Sequence, residues 1–201
     1  GMKEFPKILL SLFDYSGQWS APFETVADVV RVDIKSGTDI LQWDYRQIEN
    51  VIGILSAPPC TDFSVSGAQY WAAKDADGRT EKSVLLVKKT LEIIDYFQPK
   101  FWALENPVGR IDKLVPELKP LRRLLFNPCD YGDPYTKKTI LWGHFNPMLV
   151  KSPVAPIRSC SQGSWLQTLG GNSEKTKELR SVTPPGFAKA FFEAHKHYFE
   201  Q

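Results

Sequence analysis

The sequence predicts an α/β fold, a mostly parallel sheet with helices on both faces. Three observations carry that expectation: short apolar runs recur along the chain, a helical period intervenes between two of them, and turn residues close each run. Lys7–Phe13 is an apolar block that ends in Asp14-Tyr15-Ser16-Gly17, a strand followed by a turn. Val29–Asp33 is β-branched and alternating, a second strand closed by Ser36-Gly37. Val51–Leu55 is apolar on both faces, as a central parallel strand must be, and runs into Ala57-Pro58-Pro59-Cys60. From Thr80 to Phe97 the period changes: Val84, Val87, Leu91 and Ile94 fall on one side, with Lys88, Lys89, Glu92 and Asp95 on the other. Gln98-Pro99 stops that helix, and Phe101–Leu104 supplies a fourth strand ending at Glu105-Asn106-Pro107. Thr139–Trp142 has the composition of another strand, and Pro185–Phe199 that of a closing helix with proline early in it. In such sheets ligands bind beyond the carboxyl ends of the strands. Phe13, Asp33, Cys60 and Glu105 are therefore expected on one rim.

Composition narrows the class. With 201 residues and 42% hydrophobic side chains, one domain over residues 1–201 with a single sizeable core is expected. The apolar content is too high, and the net charge of +2 too low, for a disordered chain. The longest apolar stretches fall far below the roughly 18 residues of a membrane span, and the first residues do not have the pattern of a secretory leader. The three cysteines, Cys60, Cys129 and Cys160, form no C-x-x-C pair and stand at no zinc spacing from His144, His195 or His197. No metal is expected, and cysteine usage of this kind suits a reducing, cytoplasmic compartment. Charge is uneven: residues 1–109 carry 11 basic and 15 acidic groups, residues 110–180 carry 12 and 6. The cationic later part is compatible with a phosphate-bearing partner and equally with an ordinary solvated surface.

Two segments carry chemistry. Prolines ahead of Cys60 stiffen the turn and fix the exit angle of a thiol placed just past a strand end, where it can act as a nucleophile. Glu105, past the next strand, can serve as a general acid if burial raises its pKa. Each has a plainer reading, a core thiol for Cys60 and a helix cap for Glu105 and Asn106.

Pro-Pro-Cys after one strand and Glu-Asn after the next resembles the cytosine C5 DNA methyltransferase family, with its Pro-Cys and Glu-Asn-Val motifs. Further motifs follow in the family's order: Leu12–Gly17 is similar to its first motif, Thr38-Asp39-Ile40 to its Gly-Asp-Ile, Tyr131–Gly143 to its Tyr-Gly-x-Pro-Gln-x-Arg-x-Arg block, and Arg180-Ser181-Val182-Thr183-Pro184 to its final motifs. The resemblance spans about residues 8 to 195. It implies a Rossmann-like class I S-adenosylmethionine-dependent methyltransferase fold that transfers a methyl group to C5 of cytosine in DNA through a covalent Cys60 adduct. Glu105 is then the partner of ring N3, and Asn106 fixes local structure. The cofactor, S-adenosylmethionine, would be held by Phe13, Asp14, Ser16, Gly17, Trp19, Asp33, Ile34, Asp39, Ile40, Pro58 and Ser181. Asp33 is expected at the ribose, Asp39 at the adenine, and Trp19 packed on the adenine. Ser64, Lys137 and Lys138 are expected at the nucleic acid.

The sequence also departs from that pattern. Trp19 stands in a loop where the family favours glycine, Tyr135 replaces glutamine, and Lys137 and Thr139 replace the two arginines. Between Gly143 and Arg180 only 36 residues intervene where the family inserts a target-recognition region of domain size. Residues 144–179 are thus expected to form a reduced loop, in which Arg158, Trp165, Lys175 and Lys177 are candidates for nucleic-acid contact. So short a loop favours single-stranded DNA, DNA delivered by a partner, or a separate recognition subunit. Two alternatives stay open at this stage: the same chemistry on RNA or a nucleotide, and a non-catalytic module or subunit of a split methyltransferase.

Overall fold

Period-two alternation along the apolar runs sets the two faces of the sheet. A computed structural model describes residues 5–157 and 182–201. Six strands, β1 (Ile8–Leu12), β2 (Asp28–Val32), β3 (Val51–Ser56), β4 (Phe101–Pro107), β5 (Arg122–Phe126) and β6 (Thr139–His144), form one sheet in the order β2-β1-β3-β4-β6-β5. The first four pair in parallel, and β6 runs antiparallel to both of its neighbours. Ile8, Leu10 and Leu12 of β1, Trp102 and Leu104 of β4, and Ile140 and Trp142 of β6 face one core. Leu9, Phe101, Ala103 and Leu141 face the other. The fold is α/β with a mostly parallel sheet covered on both faces, as expected.

The helix α2 (Arg79–Phe97) lies over the first face, with Val87, Thr90, Ile93 and Ile94 buried along it. Val84 and Leu91, the other positions of the expected stripe, are half-buried, and Thr90 joins the face by bonding to Ser56 of β3 at 3.2 Å. The helix ends where Gln98 turns left-handed, immediately before Pro99. On the opposite face α4 (Pro185–His195) inserts Phe187 and Phe191, fully buried, among Trp19, Phe23, Phe101 and Phe126. Each such ring is worth about 1.5–3 kcal/mol in apolar burial, so this helix is held chiefly by its aromatic side. It stops at His195, and a 3-10 turn (Lys196–Phe199) completes the stretch expected to be a helix. Two short helices, α1 (Trp71–Ala76) and α3 (Ile111–Leu114), follow the exits of β3 and β4.

Strand β5 was not expected. It begins with two exposed arginines and buries only Phe126, so no apolar run marks it. Its pairing with β6 alone makes it a strand. Chain order and sheet order together place a crossover reversal at β1, whose two neighbours are reached in opposite directions. A crevice at the carboxyl ends of the strands follows from that reversal.

Candidate active site

The two chemical segments meet through backbone and side-chain bonds that tie the exit of β3 to the exit of β4. Past Ser56 the chain still pairs with the sheet, Ala57 N donating to Leu12 O at 3.1 Å, before Pro58 and Pro59 direct it outward. Cys60 opens a tight turn in which its carbonyl accepts from Phe63 N at 3.0 Å and Ser64 N at 2.8 Å. The cysteine is half-buried and keeps its thiol. Opposite it, Asn106 is fully buried and its Nδ2 donates to the Pro58 carbonyl at 3.1 Å. Val65 N donates to Val108 O at 3.0 Å, and Arg110 N to Phe63 O at 2.8 Å. Gly109 sits where these segments cross. A Cβ there would stand 1.8 Å from the Phe63 carbonyl oxygen, so only glycine allows this approach. Asn106 Oδ1 is buried without a hydrogen-bond partner among the described residues.

Glu105 precedes Asn106 at the same rim. Burial pushes its carboxyl pKa up, Lys137 pulls it down to a lesser extent, and Asp14 pushes it up further. A carboxyl raised in this way is disposed to keep its proton and donate it in a hydrogen bond. Tyr135, from the loop before β6, lies within electrostatic range of Glu105, and its hydroxyl pKa is raised by burial, by Asp133 and by Glu105. Nothing but the substitution of glutamine marked Tyr135 in the sequence. Lys74 and Arg110, two buried cations that reach the Cys60 turn, gave no sequence signal at all.

The exits of β1 and β2 form the other half of the rim. Phe13 leaves β1 with φ +60°, a left-handed conformation that a phenylalanine adopts only when its surroundings impose it. Its N–H donates to Val32 O at 2.7 Å. Gly17 takes φ +76°, and Ser16 Oγ accepts from Gln18 N at 3.3 Å. Asp33 accepts from Lys35 N at 2.8 Å through Oδ1, and Ile34 beside it is 68% exposed. Asp39 is exposed and accepts from Leu41 N at 3.0 Å. An exposed apolar side chain next to a carboxylate, both at a strand exit, is a fitting seat for a purine face and a ribose diol.

Four expected cofactor residues are buried. Trp19 is buried in the core, its ring 5.7 Å from Phe187 and 5.6 Å from Phe191, because the aromatic side of α4 offers it a slot. It pins the first loop to α4 and presents no face for an adenine. Ile40 is likewise buried. Asp14 is buried and accepts from Ser11 Oγ at 2.8 Å and from the Ser20 N–H and hydroxyl, so its carboxylate stabilises the loop from within. Pro58 is buried beneath the Cys60 turn. On the nucleic-acid side, Ser64 is also buried, bridged to Gly109, and faces no open surface. Lys137 is half-buried with its backbone N–H on Asn127 Oδ1 at 2.9 Å, and Lys138 is exposed with its carbonyl accepting from Val108 N at 3.0 Å. Ser181, Arg158, Trp165, Lys175 and Lys177 lie outside the described residues. The first part of the 144–179 segment packs back on the 129–134 segment, Ser152 N donating to Asp130 O and Val154 N to Cys129 O, both at 2.9 Å. None of the described helices is long and apolar enough to cross a membrane.

With that geometry in view, relatives decide the family. A Frog virus 3 (isolate Goorha) protein named "Probable DNA (cytosine-5)-methyltransferase" is 31% identical over 183 residues, covering 76% of this chain and 81% of the viral one. The chain belongs to the C-5 cytosine-specific DNA methylase family. The family profile matches residues 16–113, a stretch that includes Asp33, Cys60, Glu105 and Asn106. The type II methyltransferase M.DdeI of Desulfomicrobium norvegicum is 24% identical over 110 residues, covering 47% of this chain and 25% of its own length. A crystal structure described as a DNA modification methyltransferase encoded within a prophage (E. coli) matches the fold with a TM-score of 0.50 at 17% identity. That match covers 74% of this chain and 53% of the other, so the C-5 methylase described here spans about half of that protein.

Proposed function

We propose that this chain transfers a methyl group from S-adenosylmethionine to C5 of cytosine in DNA, through a covalent bond between Cys60 and C6. The observation that carries this reading is the pairing of a half-buried thiol with a carboxyl whose pKa burial raises, at the carboxyl ends of adjacent parallel strands. Cytosine C5 is a weak nucleophile. Addition of the Cys60 thiolate to C6 makes the ring enamine-like and C5 electron-rich. Glu105, holding its proton, hydrogen-bonds ring N3 and stabilises the charge that develops there. Phe13, Asp33 and Ile34 would hold S-adenosylmethionine, whose electrophilic methyl group C5 would take up, leaving S-adenosylhomocysteine. A base then takes the C5 proton, the C5–H electron pair forms the C5=C6 bond, and the C6–S bond breaks to release the Cys60 thiolate and restore the aromatic ring. Asn106 holds the Pro58 carbonyl, and with it the turn that aims Cys60. A duplex hides C6, so the nucleotide must be extruded at a cost of a few kcal/mol or presented unpaired. The short segment between β6 and α4 favours unpaired or partner-delivered DNA.

The experiment is a covalent trap. DNA carrying 5-fluorocytosine has no C5 proton to lose, so the adduct accumulates and survives denaturing gels. Duplex DNA, single-stranded DNA and RNA are compared with and without cofactor. Adduct on DNA, together with labelled methyl transfer to ordinary cytosine, is expected. A chain that binds the cofactor yet forms adduct on none of the three is not acting by this chemistry.

A further inference from the structure

The turn that begins at Cys60 is gripped by two buried cations that approach from different elements. Lys74, in α1, donates from Nζ to the Thr61 carbonyl at 2.8 Å and lies 3.1 Å from the Asp62 carboxylate. Arg110, just before α3, donates from Nε to the Asp62 carbonyl at 3.0 Å. The two peptide carbonyls that follow the nucleophile are thus each held by a separate positive charge. Both side chains are 11% exposed, and burying a charge is costly unless it is paired.

Both are paired. Asp62 accepts from Ser83 of α2 in addition to Lys74. The Arg110 guanidinium is bidentate to Asp75, at 3.0 and 2.9 Å, and also donates to Thr80 Oγ1 at 3.2 Å. Its plane lies over Trp71, 4.3 Å from the ring centroid. Asp75 is held below the usual carboxylate range, first by its bond from Arg110 and then by that from Thr80. A bidentate, stacked arginine fixes orientation as well as distance, which a lysine in its place would not. Arg110 stands five residues beyond Glu105 in sequence, so it links the carboxyl's strand directly to the thiol's turn.

We infer that Lys74 and Arg110 are a pair of positioning residues that hold the Cys60 turn in attack geometry opposite Glu105. This rests on the catalytic reading of Cys60. Neither cation touches the substrate. They act by fixing the two peptide units that follow the nucleophile, where a displacement of about 1 Å is worth about 100-fold in rate.

The test measures single-turnover adduct formation on 5-fluorocytosine DNA at saturating cofactor, together with cofactor affinity by calorimetry and thermal unfolding. Arg110→Met and Lys74→Met are each expected to slow the adduct step about 100-fold while cofactor affinity stays within twofold of wild type. Arg110→Lys is expected to recover only part of the rate. Arg79→Met, an exposed arginine at the start of α2, is the control and is expected to react at the wild-type rate. Asp75→Asn loosens the Arg110 fork at an exposed position where the fold survives, and should slow the adduct step about tenfold. A wild-type rate in Arg110→Met, or in Asp75→Asn when Arg110→Met fails to fold, overturns the role of Arg110. A wild-type rate in Lys74→Met, or a loss of cofactor binding as large as the loss of rate, overturns that of Lys74. If the wild-type chain itself forms no adduct, the catalytic reading fails first, and this inference with it.

Discussion

The two halves of the rim are held together in opposite ways. At the exits of β1 and β2 the carboxylates bond locally: Asp14 with Ser11 and Ser20, Asp33 with Lys35, and Asp39 with Leu41 are separated by two to six residues, while Phe13 N to Val32 O joins the two strands. At the exits of β3 and β4 they are distant: Asn106 to Pro58 and Arg110 to Asp62 each span 48 residues. A site that must seat a cofactor can be built from turns that form on their own. One that must aim a thiol at a base needs two strands brought to a fixed separation, and only long-range bonds set it.

The comparison predicts separable losses. The largest is for Cys60→Ala, which should abolish adduct and methyl transfer, a loss of at least about 10⁴-fold, with cofactor affinity and unfolding temperature unchanged. A parallel fall in cofactor affinity would mean that the two halves are not independent. Glu105→Gln should slow the adduct step about 10²- to 10³-fold and raise the unfolding temperature at pH 7, because it removes a group that ionises freely when unfolded and whose ionisation burial disfavours in the fold. The sign follows from the raised pKa: the cost of ionising Glu105 is absent below the ordinary carboxylate range and is borne in full above its pKa in the fold. The wild-type adduct rate should accordingly fall as pH rises through that pKa, and a flat profile would break the assignment.

His195, in the scaffold beneath both halves, has the opposite sign. Its Nδ1–H donates to Phe191 O at 2.7 Å and its Nε2 accepts from Asn146 N at 3.0 Å, so the ring is neutral. Burial brings its pKa down to about 4 from 6.5. Stability from this residue is complete above about pH 6.5 and lost as pH falls toward 4, an amount of about 3 kcal/mol. Denaturant titrations at pH 7 and pH 4 should show that loss in wild type and not in His195→Gln. The smallest effect is expected for Asp33→Asn, about tenfold in cofactor affinity, with the adduct rate at saturating cofactor unchanged.

The same contrast decides what the sequence could reveal. The parallel strands and α2 were legible because their apolar periods are local, and Cys60 and Glu105 because each comes at the end of such an apolar run, although β4 itself continues through Glu105 to Pro107. Direction and partners were not. β6 reads like any apolar strand although it runs antiparallel, and β5 carries arginines because an edge strand need bury only one face. Trp19 was assigned to the cofactor because motif position was visible and the aromatic slot under α4, some 170 residues later, was not. Arg110 was invisible for the same reason: its partners at Asp62 and Asp75 come together only in three dimensions.

The crossing at Gly109 also bears on how the protein is made. During synthesis Cys60 emerges well before its holders, and bonds spanning 48 residues cannot close until the β4 exit has been added and docked. A nascent chain halted before residue 106 therefore carries the thiol on its local turn, without the long-range bonds that tie that turn to β4. On the proposed mechanism, chemical competence arrives abruptly with one docking event, and a chain that has not completed that event has its nucleophile but not its aim.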